Sequence, residues 1–310
     1  MKKSSGSLIS IITPTYNRSK LLKRAIRSVL NQNYHNFEMI VVDGGSTDGT
    51  EKMMKSIKDK RIRYVRQKKN CGLLSGKNLG LDKAKGEYAC FLDDDDELLP
   101  DALSNALWAF REIPKDVNMV WLDSIDSVTR KTTGHGVLKN EGYINYRCYL
   151  CGRIYGEFWP FFKRKAWGKE RFDERLWGAE GHLLLRMFSR LNIYYVPRVV
   201  RIYYQDHGGN VCRFENQLKK VPQFILNNQE FLREFGAEQK AICPKAYGKR
   251  MAILGFWQLV GGDKKGGRET LREALKYNRS AQHVGLYLAS FILSGKQIAW
   301  IYGRLFSGQK

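Results

Sequence analysis

Short apolar runs and amphipathic stretches take turns through the first 122 residues, and that alternation restricts the fold more than any other feature of the sequence. Residues 8–12 (LISII) form a β-branched apolar run of the length of one buried strand. Residues 37–42 (FEMIVV), 61–65 (RIRYV), 88–92 (YACFL) and 119–122 (MVWL) read as further strands. Helices are expected from Ser19, from about Thr50, over residues 73–84 and from Pro100; Leu22, Ile26 and Leu30 recur on one face of the first. Ser46 or Thr47 is placed to cap the second. Strands that alternate with helices imply βαβ units and a mainly parallel, Rossmann-like sheet flanked by helices. Such sheets bind ligands at the carboxyl ends of their strands. Asn17, Asp43 and the acidic run at residues 93–96 all fall just beyond strand ends.

That run, FLDDDDELLP at residues 91–100, sets four carboxylates side by side behind an apolar strand. Like charges a few ångströms apart repel, so the cluster needs a cation. Asp96 or Glu97 is placed to serve a following helix N-terminus, where acids suit the macrodipole. Four acids exceed what capping requires. Hard divalent ions such as Mg²⁺ or Mn²⁺ take oxygen ligands, often one or two carboxylates plus substrate phosphates.

Beyond residue 122 the pattern changes. Residues 124–208 are less regular, with an aromatic segment at 158–162 (FWPFF), a helix expected over 180–191 and strands at 194–196 and 199–204. From Phe214 the pattern is helical, with Gly255, Gly261, Gly262, Gly266 and Gly267 expected to divide it into short helices. The sequence divides at about residue 210, into an α/β catalytic domain over 1–210 and a basic helical region over 211–310.

The formal charge is +22, which calls for an anionic partner. Residues 211–310 hold 17 Lys and Arg against 7 Asp and Glu, a net of +10. Two apolar stretches, 284–293 and 298–302, are too short to span a bilayer. Basic helices carrying Trp and Tyr suit a membrane interface, so peripheral membrane contact is expected there. Nucleic acid is not an expected partner, because no nucleic-acid motif accompanies the charge. The N-terminal apolar run ends at Pro14 and Asn17 with no small-residue cleavage site, so it reads as a strand rather than a signal peptide. Cys148 and Cys151 form a lone CxxC with no second ligand pair, and the six cysteines read as ordinary thiols of a reducing compartment.

In order and spacing, residues 11–18 (IITPTYNR), 41–50 (VVDGGSTDGT), Asn70-Cys71-Gly72 with Lys77-Asn78, and Gly86-Glu87-Tyr88 leading into 91–96 (FLDDDD) resemble the family 2 inverting glycosyltransferases of the GT-A fold. The resemblance covers about the first 210 residues. It implies transfer of a hexose from a UDP- or GDP-linked sugar to an acceptor hydroxyl in polysaccharide or lipid-linked glycan synthesis. A polyisoprenyl-phosphate sugar synthase and a non-catalytic nucleotide-sugar-binding relative are the alternatives. The expected location is the cytoplasm, peripheral on the cytoplasmic face of a membrane, with a glycan or lipid-linked acceptor.

The resemblance also implies roles. The loop Pro14-Thr15-Tyr16-Asn17 and Asp43 hold the nucleoside. Asp93 and Asp95 match the outer positions of the DxD motif and ligate Mn²⁺ or Mg²⁺, Asp94 takes the variable position, and Asp96 is the acid that commonly follows. Lys77 contacts the diphosphate or is an exposed helix lysine. His207, in YYQDH at 203–207, joins the metal shell. Residues 177–182 (WGAEGH) followed by Arg186 match the segment that carries an acidic pair, with the catalytic base in it. Here Ala179 replaces the first acid and Glu180 stands at the second. Glu180 is the expected base; the departure leaves open a base elsewhere or an impaired protein.

Overall fold

The computed structural model describes residues 6–205 and 214–306, with side chains to residue 304. It begins β1 (Ile9–Thr15), α1 (Ser19–Leu30), β2 (Phe37–Asp43), α2 (Thr50–Ser56), β3 (Ile62–Arg66), α3 (Leu73–Lys83) and β4 (Tyr88–Phe91). There follow β5 (Glu97–Leu98), α4 (Ala102–Glu112), β6 (Met119–Asp126), β7 (Gly134–Gly136), β8 (Gly142–Tyr143), α5 (Tyr146–Leu150), β9 (Ile154–Gly156), β10 (Phe158–Lys163), α6 (Arg164–Trp167), α7 (Glu180–Met187) and β11 (Ile193–Tyr203). The remainder is helical: α8 (Phe214–Leu218), α9 (Val221–Ile242), α10 (Pro244–Val260), α11 (Lys264–Tyr277), α12 (Ala281–Ile292) and α13 (Gly295–Phe306).

β1 and β2 are buried at every residue, as apolar runs without alternation require of strands covered on both faces. The sheet runs β3-β2-β1-β4-β10-β6-β11-β5, with β8 also on β11. β1, β2, β3 and β4 pair in parallel, and so do β6 and β11; β10, β5 and β8 run antiparallel to their neighbours. The sheet is therefore mainly parallel and flanked by helices. β2 lies on one side of β1 and β4 on the other, so the strand order reverses between β1 and β4. A crevice at such a switch point is where open α/β sheets take ligands.

Several local expectations are corrected. The aromatic segment is a strand, β10, inserted between β4 and β6. Pro160 hid it, because proline interrupts a central ladder. It is accommodated because β4 pairs only with Phe161, Phe162 and Lys163, leaving β10 unladdered on that side at Pro160. The two short strands around Pro197 are one, β11, with register irregularities at Val196, Val199 and Arg201. Ser46 and Thr47 do not cap α2: Asp48 accepts from the Thr50 N–H at 2.9 Å, and Ser46 turns back to Asp43. Glu97 lies in β5 rather than at a helix start, and α4 begins at Ala102.

The chain forms two compact units. One comprises residues 6–149, 153–174 and 180–205, and the other residues 150–152, 175–179 and 214–306. The short excursions 150–152 and 175–179 join the second unit because their partners lie there. Gln239 Nε2 donates to the Leu150 carbonyl (2.8 Å), and Asn227 exchanges hydrogen bonds with the Trp177 backbone. Cys151 is joined to Cys243 in a disulfide, Cα–Cα 5.8 Å. This corrects the reading of six free thiols. A partner 92 residues away leaves no local spacing to read, and the CxxC is not a pair. In this second unit Ala252, Phe256, Trp257, Leu259, Leu271 and Ile298 form the core. Gly255 and Gly267 do not break helices as expected. Each sits inside one, where α10 and α11 pack so closely that an added Cβ at either glycine would lie 3.0 Å from the other's carbonyl oxygen.

Candidate active site

The site grows from three strand ends side by side: Thr15 on β1, Asp43 on β2, and the loop after Phe91 on β4. Asn17, just past β1, adopts φ +53°, a left-handed conformation that Asn tolerates better than most residues. Its Oδ1 accepts from the Thr47 N–H (2.7 Å), and its own N–H donates to Ser46 Oγ (2.8 Å). The loop after β1 is thus clamped to the loop after β2. Asp43 is fully buried: Oδ1 accepts from Ser46 N–H and Oγ (2.9 and 2.6 Å), and Tyr64 donates its hydroxyl to Oδ2. Tyr16 stays half exposed beside Gly44, and Pro14 is buried.

The acidic run is held by cations of the protein itself. Thr15 Oγ1 donates to Asp94 Oδ2 at 2.6 Å, across the switch point. Arg18 Nη1 lies 2.9 Å from both Asp94 Oδ1 and Asp95 Oδ2. Arg201 Nη1, from β11, lies 3.2 Å from Asp96 Oδ2, and the Tyr204 N–H donates to Asp96 Oδ1. Lys77 Nζ lies 3.6 Å from Asp93 Oδ1. Repulsion within the run is therefore met by Arg18, Lys77 and Arg201. Burial pushes the Asp94 carboxyl up to about 6, with Arg18 opposing and Asp95 adding to it. Burial likewise raises Asp96, against Arg201. At Asp93 burial also works upward, but Lys77, then Arg201 and Arg18, outweigh it and hold the carboxyl below its ordinary value.

Lys77 is buried, which rules out the exposed-lysine alternative. Two glycines explain why. An added Cβ would meet Pro14 Cβ at 2.9 Å from Gly76 and Ile12 Cγ2 at 2.2 Å from Gly80, so α3 lies directly on β1. That approach seats Lys77 beside the strand ends, 3.0 Å from Glu180 Oε1. Burial works to lower its ammonium pKa; Asp93 and Glu180 outweigh that and raise it. Asn78, next on α3, holds residues 172–174 by hydrogen bonds to the Phe172 backbone and Glu174. Glu180 opens α7, and Lys77 joins it to Asp93.

Sequence reasoning gave no role to Arg18, Arg201 or Glu157. Arg18 stood inside a quoted motif. Arg201 carried no signal, since only folding brings it to Asp96. Glu157 Oε2 lies 3.3 Å from Arg201 Nη2, which makes it a further acid beside the run. A cavity of about 500 Å³ opens next to the site between α1 and β5. Lys20, Lys23, Arg24 and Arg27 line it against Glu97, and Arg24 donates to the Asp95 carbonyl.

The family model of Glycosyl transferase family 2 matches residues 10–168, just over half the chain and including every strand end above. The chain belongs to that family. This family 2 glycosyltransferase is 34% identical over 204 residues to the GalNAc(5)-diNAcBac-PP-undecaprenol beta-1,3-glucosyltransferase of Campylobacter jejuni, covering 64% of this chain and 66% of that one. It is 29% identical over 235 residues to chondroitin synthase of Escherichia coli, covering 73% of this chain and 33% of that one. The matched region thus spans less than two thirds of these relatives' own length. Among solved structures, S. aureus TarS 1–349 in complex with UDP-GlcNAc aligns with TM-score 0.60 at 16% identity, over 97% of this chain and 92% of that one. The mannosyltransferase PcManGT from Pyrobaculum calidifontis, in complex with GDP-Man and Mn²⁺, aligns with TM-score 0.52 at 17% identity, over 97% and 88%. The glycosyltransferase has the GT-A fold.

A divalent ion is the group this family implies. Among the described residues no three His, Cys, Asp or Glu side chains gather where they could hold one ion. A cation bound by one or two carboxylates and completed by substrate phosphates needs no such cage. Asp93 Oδ1 fits that role, since it is buried and accepts no hydrogen bond among the described residues. His207 lies outside the described residues.

Proposed function

We propose that this glycosyltransferase moves a hexose, with inversion, from a UDP- or GDP-sugar to a hydroxyl of a glycan or lipid-linked acceptor. The observation that carries the reading is the Lys77 bridge: one buried ammonium between Asp93 of the DxD motif (3.6 Å) and Glu180 (3.0 Å), at the sheet's switch point. The donor's diphosphate belongs beside Asp93, and the attacking hydroxyl beside Glu180. Asn17, Tyr16 and Pro14 form one wall of the nucleoside site with Thr15; Asp43, buried behind it, fixes the turn that closes it. Asp93 and Asp95 would hold Mn²⁺ or Mg²⁺, with Asp94 locked behind them by Thr15 and Arg18. When bound, the ion supplies positive charge against the departing diphosphate.

The chain's own residues supply the rest. Inversion needs the hydroxyl to attack from the face opposite the nucleotide while a base removes its proton. Glu180 takes that proton. Lys77 holds the Glu180 carboxylate in place and turns its remaining N–H bonds to the diphosphate, so one side chain orients donor and base together. The supports are the fold shared with UDP-GlcNAc- and GDP-Man-bound structures and a relative named for a undecaprenol-linked acceptor. The basic cavity beside Asp95 suits an acceptor that carries phosphate. The domain reading, catalysis in residues 1–210 and a basic helical region in 211–310, belongs to this proposal, as does work at the cytoplasmic face of a membrane.

Titration of UDP- and GDP-sugars with Mn²⁺ or Mg²⁺, followed by a transfer assay on Glu180→Gln, tests the reading. The variant is expected to bind donor as the wild type does and to transfer about 10²–10⁴-fold more slowly. Full transfer by Glu180→Gln removes the base assignment; absence of any saturable donor binding removes the transferase reading.

A further inference from the structure

The helix α12 is apolar on two faces, and the second unit uses only one of them. Leu286 and Tyr287, with Leu293 just beyond, pack on the cluster of Ala252, Phe256, Trp257 and Leu259. On the other side Val284, Leu288, Phe291 and Ile292, at helical spacings of four, seven and eight, are 37, 59, 55 and 85% exposed. No residue of α12 is charged. A solvent-facing helix of the same unit looks different: α11 turns Lys265, Glu269, Arg272 and Lys276 outward. A helix that is apolar all round is ordinarily covered all round.

The rim of this face is cationic. The Arg268 guanidinium lies 4.9 Å over the Phe291 ring, and that of Arg304 lies 4.2 Å over Trp300, itself 59% exposed. Lys296 and Arg279 are exposed nearby in sequence, and no Asp or Glu follows Glu273. An exposed apolar stripe with a Trp and a rim of cations matches the boundary of an anionic bilayer, with the apolar side chains among the acyl chains and the cations at the headgroups. A second copy of this chain would bring the same positive rim against the first, and like charges oppose that pairing.

We infer that the exposed face of α12, with Trp300 of α13, seats the second unit on an anionic lipid surface. The inference rests on the reading of a chain that works at a membrane, and of the two apolar stretches expected to make that contact it assigns the main part to α12, because Ile298 and Ala299 of α13 face inward.

Co-sedimentation with phosphatidylcholine vesicles, with and without phosphatidylglycerol, tests it, and needs neither donor nor acceptor. Wild type is expected to pellet with the phosphatidylglycerol vesicles and to be released by salt. Leu288→Ser combined with Ile292→Ser is expected to weaken binding by about tenfold or more. Lys296→Glu with Arg304→Glu is expected to do so for the anionic vesicles alone. All four positions are on the surface, and an unchanged melting temperature confirms that the variants fold. If wild type pellets with no vesicle, the membrane reading itself fails while donor binding and transfer stand. If wild type pellets and Leu288→Ser/Ile292→Ser pellets equally, α12 is not the contact. If wild type runs as a dimer that these serines dissociate and no vesicle is bound, a second copy covers the face.

Discussion

Replacing Arg201 by Met is the sharpest probe of how the acidic run is held. Arg201 and Asp96 are both buried, at 4 and 0% exposure, with Nη1 3.2 Å from Oδ2. At an effective dielectric of about 20, charges this close attract by about 5 kcal/mol. Methionine keeps part of the stem's packing but removes that attraction and the 2.8 Å bond from Nε to Ser124 Oγ. Asp96 would keep the Tyr204 N–H and lose its cation. Removing one partner of a buried pair costs about 3–5 kcal/mol, and burial of both groups leaves little for solvent to recover. Urea unfolding, read with amide exchange in β6 and β11, measures the loss. Asp96→Asn keeps the side chain's shape and removes its charge. In the Arg201→Met background it should cost less than it does alone, with a coupling of about 2 kcal/mol. A loss below about 1 kcal/mol for Arg201→Met, or a coupling near zero, would refute the claim that Arg201 neutralises the run.

Three further outcomes are expected. Gly80→Ala sets a Cβ 2.2 Å from Ile12 Cγ2, so melting should fall by an amount equivalent to about 1–3 kcal/mol, and donor binding should weaken as Lys77 is displaced. Glu38 accepts from Ser10 Oγ and Lys85 N–H and pairs with Arg63; against burial, which raises its carboxyl, these hold it below the ordinary range. A depressed carboxyl adds stability that is present above its ordinary value and lost as pH falls through its folded value, so the gap between wild type and Glu38→Gln should close on acidification. Equal acid limbs in the two proteins would count against that network. Cys151→Ser opens a loop between residues 92 apart and should destabilise the second unit by about 2–4 kcal/mol in oxidised protein, with no difference after reduction. Thiol labelling of protein from cell extract then reports whether the pair stays reduced, as thiols of a reducing compartment do.

The sequence by itself determined the βαβ alternation, the strand ends that carry Thr15, Asp43 and the acidic run, and the family. Each rests on neighbours along the chain: the period of apolar residues, a turn, a motif. What it left undecided depends on partners brought together by folding. Pro160 disguised β10 until β4 was seen to stop short of it. Gly255 and Gly267 read as breaks until two helices were seen to meet there. Lys77 could be read as an exposed helix lysine until Gly76 and Gly80 were seen to bring α3 onto β1 and bury it. The four carboxylates posed their question locally, and the answer came from Arg18, Lys77 and Arg201. Only the tertiary structure decided those pairings, because charge neutralisation and burial act through space, over distances that sequence order does not record.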